Sequence, residues 1–381
     1  MISTLATGHT EPSPSGAARW WRCPGSCREI RRLPPERFTT SPQAEEGTLA
    51  GKLAEDWLTM KHIPSGDPEM LDYLALYVDH VASIEASDPS SILLVEHPVS
   101  CCSFAPGLRG RADALVWLPK SRHLHVVDLK YGRGVDVQAK EPNGTPNLQL
   151  AIYGLGACCS VDWLQHNGSR HPICPVEVHL TIVQVRRDEP IRTHVMTGVD
   201  MMDFGADLQA AIARTEDQNA PLVPGEKQCR FCPVAPTCPA LNAQALLVAK
   251  EEFAPMTPEQ VGKALDMVPV VRAWANAVED YAHSCARQGN RVPGYKLVET
   301  WSNRQWIDDE KTMNTLLEVD GDADLWELSA KLKSPAKLEK VFGKDLIAKL
   351  CRKVQTGETL VDESDKRPET IKIDAKDEFN V

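Results

Sequence analysis

The spacing of hydrophobic positions changes several times along the chain, and each change marks a different kind of element. Within residues 47–60 apolar side chains fall at Leu49, Leu53, Trp57 and Leu58, the spacing that gathers side chains on one side of a helix. Residues 68–86 are expected to form a second helix. From Ser91 the pattern shortens to β-like runs at 92–96, 109–118 and 124–131, separated by turn residues at Pro106-Gly107 and Pro119-Lys120-Ser121, which predicts a meander of three strands. Residues 148–159 return to a helical pattern, and 176–185 alternate through Val176, Val178, Leu180 and Ile182 as a further strand. A helix near 200–215 precedes a cysteine-rich segment at 228–239. Beyond it the chain turns helical and charged, with amphipathic stretches at 259–287 and 325–351 and an acidic tail from 356. Residues 1–18 read as a flexible lead, and a domain boundary is expected near 250.

The length of 381 residues exceeds the roughly 250–300 at which one hydrophobic core stops growing, so one large domain plus a smaller one is expected. The first twenty residues are polar and proline-bearing, and no run approaches the ~18 apolar residues of a membrane span. These features predict a cytoplasmic protein with no membrane partner. The formal net charge of −11 excludes coating of nucleic acid by bulk positive charge and leaves room only for a local basic track. Twelve cysteines, several of them clustered, point in a reducing compartment to metal before disulfides.

Asp128 and Lys130, two apart on the strand at 124–131, share a face beside Val126. The preceding strand carries Asp113 in Gly110-Arg111-Ala112-Asp113, and a hairpin would bring the two carboxylates together. Two carboxylates, the carbonyl of Leu129 as a third oxygen, and a lysine are what metal-assisted hydrolysis of a phosphodiester requires: oxygen ligands for a hard cation, and a cationic group to orient or deprotonate water and to stabilise charge. A bare Asp-x-Lys is most often a cross-strand pair on an exposed hairpin. Its neighbours alter that weighting. The run Val126-Val127-Asp128-Leu129-Lys130-Tyr131-Gly132 is followed by Gln149-Leu150-Ala151-Ile152-Tyr153, whose Gln149 and Tyr153 stand at i and i+4 on one helical face.

Cys229-Arg230-Phe231-Cys232 and then Cys238 form a C-x2-C-x5-C run, with Pro233, Pro236 and Pro239 forbidding helix and favouring the tight loops of metal sites. Far upstream stand Ser13-Pro14-Ser15 and Arg19-Trp20-Trp21-Arg22-Cys23-Pro24. Four thiolates suit either zinc or a [4Fe–4S] cluster.

Together these motifs, in this order, resemble the RecB-like branch of the PD-(D/E)xK nucleases over roughly residues 13–240, closest to an uncharacterised phage-borne group. The resemblance implies an α/β fold, a restriction-endonuclease-like core with a mixed central sheet flanked by helices, followed here by a mainly helical C-terminal part. It implies a Mg2+- or Mn2+-dependent deoxyribonuclease with Asp113, Asp128, Lys130, Gln149 and Tyr153 as catalytic residues. The N-terminal element resembles that of members carrying an iron–sulfur cluster, which makes Cys23 the fourth ligand beside Cys229, Cys232 and Cys238, with Cys27 its rival. Clasping Cys23 to the 229–238 segment closes a loop of about 200 residues, for which the disulfide chain-entropy analogy gives at most roughly 5 kcal/mol.

One position departs from the family. Its early Gly-Thr-x-x-His helix carries a metal-ligand His, whereas this chain reads Gly47-Thr48-Leu49-Ala50-Gly51; Glu55, one turn on, is the replacement ligand considered. Phosphate contacts are expected from Arg19 and Arg22, with Arg28, Arg31, Arg32 and Arg37 nearby, and from Arg109, Arg111 and Arg133 around the catalytic strands. Trp20 and Trp21 are better read as core than as base-stacking platforms. The implied partners are DNA ends or single strands, with a phage recombination or single-strand-binding protein. Competing readings are a nucleic-acid-binding or scaffold protein with weakened turnover, and a zinc-stabilised module without catalysis.

Overall fold

The computed structural model describes residues 12–34, 42–101, 103–160, 164–166, 169–171, 173–250, 257–301, 303–320, 325 and 332–370. The chain divides into two units, Met1–Ala277 and Val278–Val381.

The first unit is built on a five-stranded mixed sheet. β1 (Ile92–Ser100), β2 (Arg109–Leu118) and β3 (His123–Leu129) form the antiparallel meander, with Ala114 opposite Val127 in the second hairpin. From β3 the chain crosses through α5 (Leu148–Ser160) and the small hairpin of β4 (Leu164–His166) and β5 (Ser169–His171) to β6 (Glu177–Val183). β6 lies parallel to β3, and β7 (Ile191–Thr197) closes the sheet antiparallel to β6.

Alternation assigns the two faces. Leu124 and Val126 of β3, with Val178, Leu180 and Ile182 of β6, join the core built with α5 and α6 (Gly198–Glu216), where α1 (Ala17–Trp20) and Cys27 of α2 (Gly25–Arg31) also pack. Val127 and Val183 face the opposite way, into the core built with α3 (Pro42–Met60) and α4 (Pro68–Ala86).

Local chemistry fixes the ends of these elements. Asp67 caps α4 by accepting a hydrogen bond from the Met70 amide, with Pro68 at the first helical position. Thr197 and Asp200 form a capping box at the start of α6. Asp88, buried after α4, accepts hydrogen bonds from the Ser90 amide (2.8 Å) and hydroxyl (2.6 Å) and from the Lys120 amide (3.1 Å), and so ties the α4–β1 loop to the β2–β3 turn.

After α6 come α7 (Glu226–Cys229), α8 (Pro239–Lys250) and α9 (Pro258–Arg287), the last of which runs across the division between the units. In the second unit β8 (Tyr295–Trp301) pairs antiparallel with β11 (Gln355–Asp362), and β9 (Gln305–Trp306) with β10 (Cys351–Arg352). α10 (Asp309–Val319), α11 (Pro335–Phe342) and α12 (Lys344–Leu350) contribute to a small core at Leu316, Leu338 and Ile347.

Several expectations are corrected. The buried stripe of α3 is Ala50, Leu53, Ala54 and Leu58 with Trp57 against it, while Leu49 is 54% exposed; the small alanines face the sheet where a leucine would push the helix away. Ser13, Pro14 and Ala17 of the expected flexible lead are buried, whereas residues 1–11 and Arg37 lie outside the described residues. The stretch 325–351 is not one helix: Gly343, at φ +83, separates α11 from α12. Acidic composition hid a strand at the start of the expected tail, where Thr359 and Val361 pair with Val298 and Lys296. Among the described residues no helix is long and apolar enough to cross a membrane.

Candidate active site

The β2–β3 hairpin and the crossover helix that follows it assemble one polar group at the end of β3. The Leu129 amide donates to Oδ2 of Asp113 at 2.7 Å. Nζ of Lys130 lies 2.7 Å from Oδ2 of Asp128 and 3.5 Å from Oε1 of Gln149, and Nε2 of Gln149 donates to the Tyr153 hydroxyl at 3.1 Å. The five residues singled out for catalysis thus form a chain of contacts from β2 through β3 to α5. Gly110 permits the approach of the flanking parts: a Cβ there would lie 2.7 Å from both Pro14 and the Tyr153 ring, too close for any side chain.

The site is short of positive charge. Asp128 is 1% exposed, and its Oδ1 finds no hydrogen-bond donor among the described residues, a costly state for a buried carboxylate. Burial, followed by repulsion from Asp128, raises the Asp113 carboxyl well above the usual carboxylate range, against the pull of Lys130 and the Leu129 amide. Burial works against the charge of Lys130, but Asp128 and Asp113 outweigh it and push its pKa up to about 12. Burial likewise pushes Tyr153 up to about 12. Lys130 is therefore a cation and Tyr153 a neutral hydroxyl at neutral pH.

Glu96 was not anticipated. It stands in β1 at φ +47, between the pairs Val95–Ala114 and His97–Ala112, and so beside Asp113. Burial raises its carboxyl, with Glu55 and Asp128 adding to the shift. Glu55 reaches the group through this repulsion and is held by Lys52 at 3.0 Å. A Cβ built on Gly51 meets nothing within 4 Å, so the position has room for a side chain.

The four expected cysteine ligands also gather. Burial raises the thiols of Cys23 and Cys229 and pushes Cys232 up to about 11, and each feels others of the set: Cys23 feels Cys238, Cys229 feels Cys23 and Cys238, and Cys232 feels Cys229 and Cys23. Backbone amides point at the sulfurs, Val223 N–H to Cys23 Sγ at 3.2 Å and Gly225 N–H to Cys229 Sγ at 3.4 Å. Among the described residues no three of these sulfurs lie within 4.8 Å of one another. Cys27 packs instead in the main core.

The basic residues divide. Arg19 lies by the thiols, where its charge opposes the rise at Cys23 and Cys232. Arg22 is paired with Glu141 at 2.5 Å, and Arg133 reaches Glu69 at 3.8 Å and the Tyr73 hydroxyl at 3.3 Å. Arg109 and Arg111 are exposed at the start of β2, beside Asp113, with Arg111 4.0 Å from Glu96. Trp20 is fully buried and donates to the Ser13 carbonyl at 2.7 Å, and Trp21 stacks on Phe204; both are packing residues.

Fold and site together define a mixed α/β protein whose central strands present a carboxylate pair, buried Asp128 and part-buried Asp113, with a lysine, and which gathers four thiols outside the main core. Over residues 9–368 the chain matches the family described as protein of unknown function (DUF2800), and it belongs to that family. No solved structure matches it.

Proposed function

We propose that this chain is a Mg2+- or Mn2+-dependent deoxyribonuclease of the PD-(D/E)xK type. The observation that carries the reading is the convergence of Asp113, Asp128 and Lys130 from paired strands with Gln149 and Tyr153 from the next helix. A divalent cation fits this group because Asp128 keeps a buried oxygen without a donor and the carboxylates repel one another. Asp113, Asp128 and the Leu129 carbonyl would hold it, with Glu96 and Glu55 contributing directly or through water; Mg2+ commonly takes only one or two carboxylates and keeps its waters. Bound there, it would supply Lewis acidity and an activated water. Lys130, kept protonated by Asp128, stabilises charge developing at the phosphorus instead of acting as a base. Gln149 couples Lys130 to Tyr153, whose neutral hydroxyl can donate to a phosphate oxygen. Arg109 and Arg111 provide the local basic track for the DNA backbone.

The four cysteines are proposed to hold a [4Fe–4S] cluster that clasps the N-terminal element. The amides directed at Cys23 and Cys229 suit thiolates. Four thiolates suit zinc and the cubane cluster alike, and the likeness of the N-terminal element to that of cluster-bearing nucleases favours the cluster. DNA ends or single strands are the proposed substrates, in recombination or replication of the phage type, with a recombination or single-strand-binding protein as partner. Gly51 favours a second reading, a DNA-binding protein with weakened turnover. Incubation with end-labelled single- and double-stranded DNA separates the two: the proposal expects cleavage with Mg2+ or Mn2+ that a chelator abolishes, and binding without cleavage under either metal favours the second.

A further inference from the structure

The face of the sheet opposite Asp128 carries a second cluster. Alternation along β3 turns His123 and His125 to the side of Val127, toward α4, and alternation along β6 turns Glu177 and His179 to the side of Val183. In the parallel register His123 lies opposite Glu177, and His125 opposite His179. The His125 and His179 rings stack at 4.3 Å, and His123 lies 5.2 Å from His179. One ring nitrogen from each of the three histidines falls within 4.8 Å of the others. Glu177 Oε2 is 3.1 Å from Nε2 of His179 and 3.6 Å from Nε2 of His123. Burial, and then the neighbouring His179, His123 and, on α4, His80, lower the basicity of His125, and the Nε2 of His80 is buried without a hydrogen-bond partner among the described residues.

We propose that His123, His125 and His179 bind a first-row transition cation of the zinc class, with Glu177 as fourth ligand or as hydrogen-bond acceptor for a ligand imidazole. Three imidazoles and a carboxylate suit zinc and its neighbours and not Mg2+. Metal–nitrogen bonds of about 2.0–2.1 Å require the ring nitrogens to draw in by about 1 Å, within reach of side-chain rotation because the rings are only half-buried, with the His123 and His179 side chains 31% and 20% exposed. The cation would bridge β3 to β6, three residues before Asp128, and so brace the strand that carries the carboxylate site while touching none of its residues.

The test is zinc stoichiometry, measured by elemental mass spectrometry on the full chain incubated with Zn2+ in excess Mg2+ and desalted. Wild type and Asp128→Asn should bind equally. The double variant His123→Gln/His179→Gln, with its fold checked by circular dichroism, should bind one zinc fewer per chain, whatever the cysteines take. An unchanged count in the folded variant overturns the proposal. Should that variant fail to fold, Glu177→Gln decides: zinc affinity falling about tenfold, as loss of an outer partner produces, supports the site, and unchanged affinity overturns it.

Discussion

Gly51 is the position at which one side chain should most plainly add function. It lies on α3 one turn before Glu55, and a Cβ there meets open space. Gly51→His should therefore fold and, by offering an imidazole near Glu55 and Glu96, raise Mn2+ affinity about tenfold or increase cleavage, on the scale of a modest change in metal coordination. A folded variant with unaltered Mn2+ titration and rate would mean that Glu55, Glu96 or water already completes the coordination. At this scale the motifs anticipated which side chains come together, because Asp113, Asp128, Lys130, Gln149 and Tyr153 each have a fixed offset within one strand or helix. Glu96 was not legible, since its place beside Asp113 depends on a residue at positive φ inside β1, which alternation of residue types cannot reveal. The histidines were missed for a related reason. His123 and His125 meet His179 only through the register of a parallel pair joined across more than forty intervening residues.

Among the elements, the meander depends on Asp88, which fastens the end of α4 to the turn between β2 and β3. Hydrogen bonds from the Ser90 side chain and amide, with help from Lys120, hold its carboxyl well below the usual range. Because the folded value is depressed, this stabilisation is present above the unfolded pKa of about 3.9 and is lost as pH falls below it. Asp88→Asn should accordingly lower the melting temperature at pH 7, with the deficit shrinking as the pH is taken below about 4; an equal deficit at both ends would contradict an ionic role. Helix and strand periodicity predicted α4, β2 and α5 closely. It failed at β7, which has four polar residues among its seven, and at β11, where acidic and threonine-rich composition concealed pairing with β8.

For the whole molecule, the cysteine group links an N-terminal residue to a segment some two hundred positions later, and only the folded chain brings the two together. Assembly of the proposed cluster is thereby coupled to folding. Protein purified without oxygen should be brown and contain about four irons per chain; Cys232→Ser should lose the colour and render residues 12–34 sensitive to protease, while Cys285→Ser should leave both unchanged. Zinc that Cys232→Ser removes, with no iron, would mean that the ligands were identified correctly and the metal was not. The division of the chain at Ala277 and Val278 falls inside a helix, where no composition shift marks it, which is why sequence placed the boundary earlier.

On the proposed function Asp128 and Lys130 perform phosphodiester hydrolysis and are not packing residues. Its most direct test is the Mn2+-supported cleavage rate of end-labelled DNA by Asp128→Ala and Lys130→Ala, each shown by circular dichroism to be folded. Both variants should lose activity by at least about a hundredfold, in line with removal of a catalytic acid–base or charge-stabilising group. Cleavage at the wild-type rate in both would contradict it.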